Sequence, residues 1–467
     1  MHSFSQPRIG LWVSLILLVS GQFTAFCQDF ARISPKDMGI DLPSAEVRLG
    51  GEVVSTYDRN QEPIVGQVYC WIGENAVILA PDGQLLPRKK GEFAPSDRKF
   101  KETDFDQLAK KLTTTDFPRF KSRVTRNFIF LYNTTEDFAR GTSVVLETML
   151  PGMLEYAKNQ KLTVADPKVP LVVVMFATDE EFNRYQRMPP GVVAYYHTIS
   201  NRVFLYEKSK LGEQRPDLAI QQAISTIAHE GAHQILHNIG VQQRLSVWPM
   251  WLSEGMAEYF APTSVGARLR WKGAGQVNDM RMFELEQYVQ SRASEKPDGR
   301  LIAQTVLAGR LTSTGYASAW SLTHFLAKTR KSDFDALVRQ ASKLGPLETF
   351  GPLVAPGIVR ENQARFKGVF GDDLAEMEVK LVAHLKKQNY TDPFKDFPHF
   401  AATLTSSDAR RPIVEVGTFH SPALAQKWLA EMTEKLPADQ QASAKTEIKI
   451  FPNRLQAENY ARQTRRQ

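Results

Sequence analysis

The sequence has only two cysteines, no low-complexity tract and no long hydrophobic run. Cys27 and Cys70 cannot build a disulfide scaffold for a chain of 467 residues. An apolar run near the N-terminus, residues 9–20, falls short of the ~20 residues that a membrane-spanning helix needs. The 58 Lys and Arg residues and 51 Asp and Glu residues leave a net charge of +7, which does not indicate a nucleic-acid partner. These absences exclude a disulfide-rich scaffold and a multispan membrane protein.

The composition is otherwise that of a globular protein. Hydrophobic residues make up 42% of the chain and charged residues 23%, which excludes wholesale disorder. With roughly 150 residues in a typical domain, the length predicts about three domains.

The first 27 residues have the character of a secretory signal peptide. Arg8 is their only charged residue, the apolar run over residues 9–20 follows, and small and more polar residues come next. We therefore expect an exported protein, in the periplasm, at the cell envelope or outside the cell, with no transmembrane segment after signal removal. Cleavage after Gly21 and cleavage at Cys27 both stay open. If Cys27 is removed, Cys70 is left as a buried thiol without a disulfide partner.

The rest of the chain is predicted to divide into three regions. Residues 28–112 should form a small β-rich unit and a charged linker, because β-branched and aromatic runs alternate there with Gly, Pro and Asp turns. Residues 113–390 begin with alternating strands and helices, which predicts a mixed sheet, and continue as helices after Pro216. Residues 400–467 predict a βαβα domain. The predicted fold class is α+β.

The middle region also has a predicted hairpin. Its strands are expected over residues 192–196 and 202–206, with the turn at Ser200 and Asn201. Before the hairpin, the pattern predicts a strand over residues 127–132, a helix to about Asn159 and a buried strand over residues 170–176.

The segment over residues 229–233, HEGAH, carries the strongest chemical signal. Its surroundings, residues 219–239, predict a helix. Residues four apart on a helix share a face, so His229 and His233 can direct imidazole nitrogens at one metal ion. Glu230 is turned by ~100° about the helix axis and can reach a water molecule on that ion.

A second segment, residues 249–260, supplies a third candidate ligand. A catalytic zinc site needs three protein ligands and an open position for water, and two histidines with one carboxylate form such a set. Glu254 is the expected ligand, on a helix predicted to begin near Ser253. Glu258 lies one turn further on, where it can accept the other N–H of a metal-bound histidine; the alternative is a solvated helix charge. Zn²⁺ is the expected cofactor, inferred from ligand type.

These two segments together resemble the gluzincin branch of zinc metallopeptidases, and most of all the peptidase MA-like family of bacterial exported proteins. The resemblance covers about residues 127–326. It implies a zincin-like core, made of a mixed sheet, an active-site helix and a helical C-terminal subdomain. It also implies that His229, His233 and Glu254 are metal ligands and that Glu230 is the catalytic carboxylate.

Other zincin patterns fit less well. The metzincin spacing requires a glycine at position 236 and a histidine at position 239, where this chain has Leu236 and Ile239. The Gly-x-Met-Glu-Asn segment of the gluzincin aminopeptidases is absent from the sequence, so we do not expect amino-terminal exopeptidase activity.

The resemblance also implies roles for three tyrosines. In related gluzincins a tyrosine downstream of the glutamate ligand stabilises the oxyanion, and Tyr316 lies in a segment that resembles that region. The alternative is a tyrosine packed at a helix start. Tyr195 and Tyr196 lie on the predicted hairpin, which in zincins tends to supply an edge strand that pairs with the substrate backbone. The alternative is that both belong to the hairpin core.

Two further histidines are not expected to bind metal. His237 follows His233 by one turn and is predicted to lie on the helix surface, because a fourth ligand would close the coordination position that catalysis needs. His324 lies in an apolar stretch and is expected in the core or partly exposed.

The last region weakly resembles a SPOR-like repeat, on the run VEVGTF over residues 414–419 followed by an Ala-rich helix, a strand and a second helix. The resemblance implies binding to the glycan strands of the bacterial cell wall. The alternative is an unrelated small βαβα domain.

We therefore expect an exported zinc-dependent endopeptidase that acts on a peptide or protein, with Glu230 as general base. One alternative is a catalytically inactive zincin-fold binding or scaffold protein at the cell envelope. The other is hydrolysis of a non-peptide bond by the same metal-activated water. Retention of Glu230 weighs against the first, because a scaffold has no need of that carboxylate.

Overall fold

The computed structural model describes residues 31–189, 191–208, 216–264, 269–291, 296–350, 356–406 and 413–465. The predicted signal peptide lies outside these ranges. Within them the chain is a mixed α+β protein whose strands form five sheets. Among the described helices, none combines the length and the hydropathy needed to cross a bilayer.

The N-terminal region forms an antiparallel six-stranded sheet, as its β-rich pattern predicts. Its spatial order is β6-β5-β4-β3-β7, with β2 paired to β4. Cys70 lies on β4 and is fully buried, in agreement with the expected buried thiol. The strands of this sheet are β2 (Val47–Leu49), β3 (Val53–Tyr57), β4 (Pro63–Ile72), β5 (Asn75–Leu79), β6 (Leu85–Arg88) and β7 (Ala94–Pro95). The short strand β1 (Ala31–Arg32) precedes them and belongs to a separate two-stranded sheet.

A mixed five-stranded sheet follows, and it confirms the predicted alternation and hairpin. Its order is β11-β12-β10-β9-β8, in which β9, β10 and β12 are parallel while β8 and β11 run antiparallel to their neighbours. The apolar runs of β9 and β10 are buried, as central parallel strands require. The elements are α1 (Phe105–Thr114), β8 (Lys121–Val124), β9 (Phe128–Tyr132), α2 (Glu136–Asn159), β10 (Leu171–Thr178), α3 (Asp179–Tyr185), β11 (Ala194–His197) and β12 (Arg202–Lys208).

The chain then becomes mainly helical, as predicted. One boundary is wrong: α5 begins at Met250 and not near Ser253, because Pro249 occupies the cap position and its carbonyl already accepts the N–H groups of Leu252 and Ser253. The elements are α4 (Pro216–Asn238), α5 (Met250–Phe260), β13 (Thr263–Ser264), β14 (Arg270–Trp271), α6 (Asp279–Ser291), α7 (Arg300–Leu307), α8 (Ser313–Thr329), α9 (Lys331–Ala341), β15 (Glu348–Thr349), α10 (Pro356–Phe370) and α11 (Leu374–Leu385).

The C-terminal region has a strand that the βαβα prediction omits. This strand, β16, is the centre of a three-stranded antiparallel sheet with the order β17-β16-β18. The predicted start of the first helix is confirmed, because Ser421 Oγ accepts a hydrogen bond from Leu424 N–H at 3.3 Å. The elements are β16 (His399–Ser406), β17 (Ile413–Phe419), α12 (Pro422–Glu434), α13 (Ala438–Gln441), β18 (Lys445–Phe451) and α14 (Arg454–Thr464).

Two compact units divide these elements. The first contains the described residues up to Gly275 together with Arg330–Gly371, and the second contains Gln276–Thr329 and the described residues from Asp372 onward. The domain boundaries expected at residues 112 and 390 stay a prediction. In the first unit the N-terminal sheet shares a hydrophobic core with later residues, because Cys70 and Val77 belong to the same buried cluster as Leu245 and Leu347.

Candidate metal centre

Helix α4 places two histidines on one face. The Nε2 atoms of His229 and His233 lie 3.3 Å apart. Gly231, between them, allows α4 to approach α2 closely, since a Cβ at this position would lie 2.2 Å from Leu146 Cδ2. The helix ends at Asn238, and Gly240 follows it with a φ of +89°.

Polar side chains on α4 fix the helix against the mixed sheet. Gln234 is fully buried, and its Nε2 donates to the carbonyls of Val172 at 3.1 Å and Asn201 at 2.7 Å. Asn238 and Asn201 form a reciprocal amide pair, with N–O distances of 2.7 and 2.9 Å. None of these contacts is predicted by the sequence pattern. The only local signal was the Asn at the predicted hairpin turn, where Asn201 adopts a φ of +58°.

Helix α5 supplies a carboxylate to the two imidazoles. Glu254 Oε2 lies 3.1 Å from His229 Nε2 and 3.4 Å from His233 Nε2. Within the described ranges, these three residues are the only group of three or more His, Cys, Asp or Glu side chains placed to hold one metal ion. Ligand atoms about 2.0–2.1 Å from a zinc ion at tetrahedral angles lie about 3.3 Å apart. The three observed separations therefore fit three corners of a zinc tetrahedron.

Glu258 stands behind the first histidine. Its Oε1 lies 3.1 Å from His229 Nδ1, the ring nitrogen that faces away from Glu254. The side chain is 1% exposed, so Glu258 is not a solvated helix charge. A carboxylate in this position fixes the ring orientation of a ligand and selects the tautomer that has Nε2 available for a metal.

The carboxylates make the cluster attractive to a cation. Burial opposes the charged form of His229, but the carboxylates of Glu258 and Glu254 outweigh burial and raise its pKa well above the usual value. Burial likewise opposes the Glu254 carboxylate, but His233 and His229 outweigh it and lower the pKa of Glu254. The site therefore favours positive charge, which a divalent ion can supply in place of a proton.

Glu230 contacts the edge strand of the mixed sheet. Its Oε2 accepts a hydrogen bond from the backbone N–H of Tyr196 on β11, at 2.8 Å. The residue follows His229 directly on α4 and is half-buried. One carboxylate oxygen is thus fixed by the main chain of β11.

The side chains of the two hairpin tyrosines pack within the structure. Tyr195 stacks on Phe204 with ring centroids 5.1 Å apart, and Tyr196 stacks on His237 at 5.5 Å. The Tyr196 hydroxyl donates to Asn201 Oδ1 at 2.9 Å. A role for these residues in substrate binding would therefore involve the main chain of β11, and it stays a prediction.

The other predicted residues have different surroundings. His237, predicted to lie on the helix surface, is half-buried: burial, followed by the nearby His233 and Arg244, lowers its pKa to about 3, and its Nδ1 lies 3.2 Å from the carbonyl of Gln242. His324 is buried, as expected. Tyr316 belongs to α8 in the second unit, where Arg281 lies 5.3 Å from its ring centroid, and its role in catalysis stays a prediction.

A protein-family model matches part of the chain. Residues 223–348 match the model of a family described as a protein of unknown function, DUF1570. The matched segment contains His229 and His233 of α4 together with Glu230, Glu254 and Glu258. No curated protein matches the chain.

Proposed function

We propose that the protein is an exported zinc-dependent metallopeptidase that cleaves internal peptide bonds of a peptide or protein. The observation that carries this proposal is the grouping of two imidazoles and one carboxylate at zinc-like separations, next to a fourth residue, Glu230, suited to general-base catalysis. The resemblance to zincins supports a zincin-like core around this site.

His229, His233 and Glu254 would hold the metal ion. When bound there, zinc would lower the pKa of a water molecule toward ~7 and polarise the scissile carbonyl. Glu258 would keep the His229 ring in the orientation that directs Nε2 to the ion.

Glu230 would act as general base and then as general acid. Its Oε2 already accepts the Tyr196 N–H, so Oε1 is the oxygen left to take a proton from the attacking water. The same carboxyl group would return that proton to the nitrogen of the leaving amine. Tyr316 would donate to the oxyanion, as the resemblance implies.

The backbone of β11 would bind the substrate. β11 is at the edge of the mixed sheet and pairs with β12 alone among the described strands. An edge strand offers N–H and C=O groups to an extended peptide, which would add to the sheet beside Glu230.

Metal content and peptide cleavage of wild type and Glu230→Gln test this proposal together. The wild type should hold about one zinc per chain and cleave members of an unbiased peptide library at internal bonds. Glu230→Gln keeps the ligands and should retain zinc, while kcat/KM falls about 10²–10⁴-fold because a positioned acid-base group contributes that much. His229→Ala, as the matched ligand variant, should lose both zinc and cleavage.

Three results would contradict the proposal in different ways. Undiminished cleavage by Glu230→Gln would refute the role of that carboxylate. Zinc binding with no cleavage by the wild type would favour the inactive binding or scaffold protein. Turnover of ester or glycan substrates in place of peptides would favour hydrolysis of another bond.

A further inference from the structure

Arg244 connects two parts of the first unit that are distant in sequence. It lies in the loop between α4 and α5 and is 3% exposed. Its guanidinium donates to the carbonyls of Gly83 at 2.8 Å, Thr198 at 3.0 Å and Ile199 at 3.1 Å. A planar fork of N–H donors can bind three carbonyls at once, which an ammonium group cannot reproduce with the same geometry.

The three carbonyls come from the N-terminal sheet and from the hairpin of β11 and β12. Gly83 lies in the turn between β5 and β6, whereas Thr198 and Ile199 lie in the turn between β11 and β12. The N-terminal sheet also contacts the hairpin turn directly, because Leu85 N–H on β6 donates to the Ile199 carbonyl at 2.8 Å. Tyr69 on β4 accepts the backbone N–H of Arg244 at 2.9 Å through its hydroxyl. Arg244 and the N-terminal sheet therefore clamp the hairpin turn.

The clamped turn is next to the contact with Glu230. Only His197 separates Thr198 from Tyr196, whose N–H binds Glu230 Oε2 at 2.8 Å. β11 has one strand partner among the described strands, so the turn is a main determinant of its position. A small displacement of Thr198 would reach the Tyr196 N–H through two peptide units.

Helix α4, which carries His229 and His233, also holds the hairpin. Asn201 pairs with Asn238, and its carbonyl accepts from Gln234, both on α4. Loss of Arg244 alone would therefore leave the hairpin attached to α4 and to Leu85, but without its contacts to the guanidinium. The Thr198 carbonyl would lose the guanidinium donors, and the Ile199 carbonyl would keep only the Leu85 N–H, which favours a shifted turn.

We propose that Arg244 is a positioning residue, through which the N-terminal sheet holds β11 against Glu230. This inference rests on the proposed function for its catalytic consequence, but the mechanical connection stands on the contacts themselves. It assigns the N-terminal sheet a role in organising the active site.

The test compares Arg244→Met with Arg339→Met in the full chain. Arg339 also belongs to the first unit and donates to a backbone carbonyl, that of Gln160 at 3.2 Å, so its variant controls for the loss of an arginine–carbonyl bond. With Arg244→Met, amide hydrogen exchange over residues 194–199 should become at least about tenfold faster, while the zinc content stays at the wild-type value. The kcat for peptide cleavage should fall about 10–100-fold, because a small misplacement of a reacting group costs that much. Arg339→Met should change neither the amide exchange over residues 194–199 nor the kcat.

The two measurements separate the two hypotheses. Unchanged exchange over residues 194–199 in Arg244→Met would overturn the clamp, and so would a full rescue of kcat by Arg244→Lys, which lacks the fork. Faster exchange with unchanged kcat would show that the clamp does not serve catalysis and would also overturn the positioning role. If the wild type cleaves no peptide, the proposed function fails, and the exchange data still decide whether Arg244 holds the hairpin.

Discussion

Two pairs of histidines in this molecule have similar spacing and different surroundings. In the first unit, the Nε2 atoms of His229 and His233 are 3.3 Å apart. In the second, His324 Nδ1 and His384 Nε2 are 3.0 Å apart. The first pair has Glu254 and Glu258 within 3.4 Å, whereas the charges that act on His384 are those of lysines.

The surrounding charge gives the two pairs opposite chemistry. Carboxylates outweigh burial at His229 and raise its pKa well above the usual value. At His384, burial comes first and the nearby Lys328 and Lys387 add to it, so its pKa is lowered. A positive charge is therefore favoured at His229 in the first pair and disfavoured at His384 in the second pair. Spacing of imidazoles alone does not make a metal site.

The largest effect should come from removing the charged ligand of the first pair. Glu254→Ala leaves the two imidazoles in place and should abolish stable zinc binding, with complete loss of metal-dependent activity. The loss of affinity should exceed the roughly 10–100-fold expected for an outer partner, because a ligand itself is missing. Zinc per chain after exhaustive dialysis measures the result. His384→Ala is the matched control and should keep the wild-type zinc content. An equal loss of zinc in His384→Ala would show that the two histidine pairs do not differ in their contribution to metal binding.

Replacing the carboxylate behind the ligand should have a smaller effect. Glu258→Gln keeps the shape of the side chain but removes the charge that faces His229 Nδ1. We expect zinc affinity to fall about 10–100-fold, with the stoichiometry near one when zinc is in excess. Competition with a chromophoric chelator gives the affinity. An affinity equal to that of the wild type would show that Glu258 fills space without tuning the histidine.

The grouping of the three potential ligands could be predicted from the sequence because it depends on local spacing. His229 and His233 are one helical turn apart, and Glu254 follows on the next helix of the chain. The contacts that hold these three ligands together could not be predicted from the sequence. Gln234 and Asn238 resemble the polar face of a surface helix, and their partners, Val172 and Asn201, become neighbours only when the sheet packs against α4.

The omitted strand β16 has a similar physical explanation. Residues 401–403 are Ala, Ala and Thr, which give little apolar periodicity for a strand. Strand β16 is stabilised instead by pairing with β17 on one side and β18 on the other. Such long-range hydrogen bonding leaves no local signal, whereas the edge strands of the same sheet have stronger β-branched runs.

The raised pKa of His229 predicts a pH dependence of metal binding. The imidazole must be neutral to bind zinc, and in the metal-free protein its proton is held to a pH above the ordinary 6.5. Zinc must displace that proton at lower pH, so the apparent affinity should rise at least about tenfold per pH unit until the pH exceeds the folded-state pKa. Zinc titrations between pH 5.5 and 8 measure the slope. Glu258→Gln removes one cause of the raised pKa of His229. The rise of zinc affinity with pH should therefore end at a lower pH in this variant than in the wild type. An unchanged pH profile would show that Glu258 does not raise the pKa of His229.

The smallest effect concerns the second pair, where an exposed lysine acts through solvent. Lys328→Gln removes a positive charge that disfavours the imidazolium form of His384, so the pKa of His384 should rise toward its ordinary value. Because Lys328 is exposed, the increase should be small and should shrink in about 1 M salt, where charges are screened within ~3 Å. An NMR titration of the His384 ring protons resolves such a change, and the exposed Lys435→Gln should leave the titration unmoved. If Lys328→Gln has no effect at low salt, burial and Lys387 are left as the causes of the lowered pKa of His384. The contrast between the two pairs would then owe nothing to Lys328.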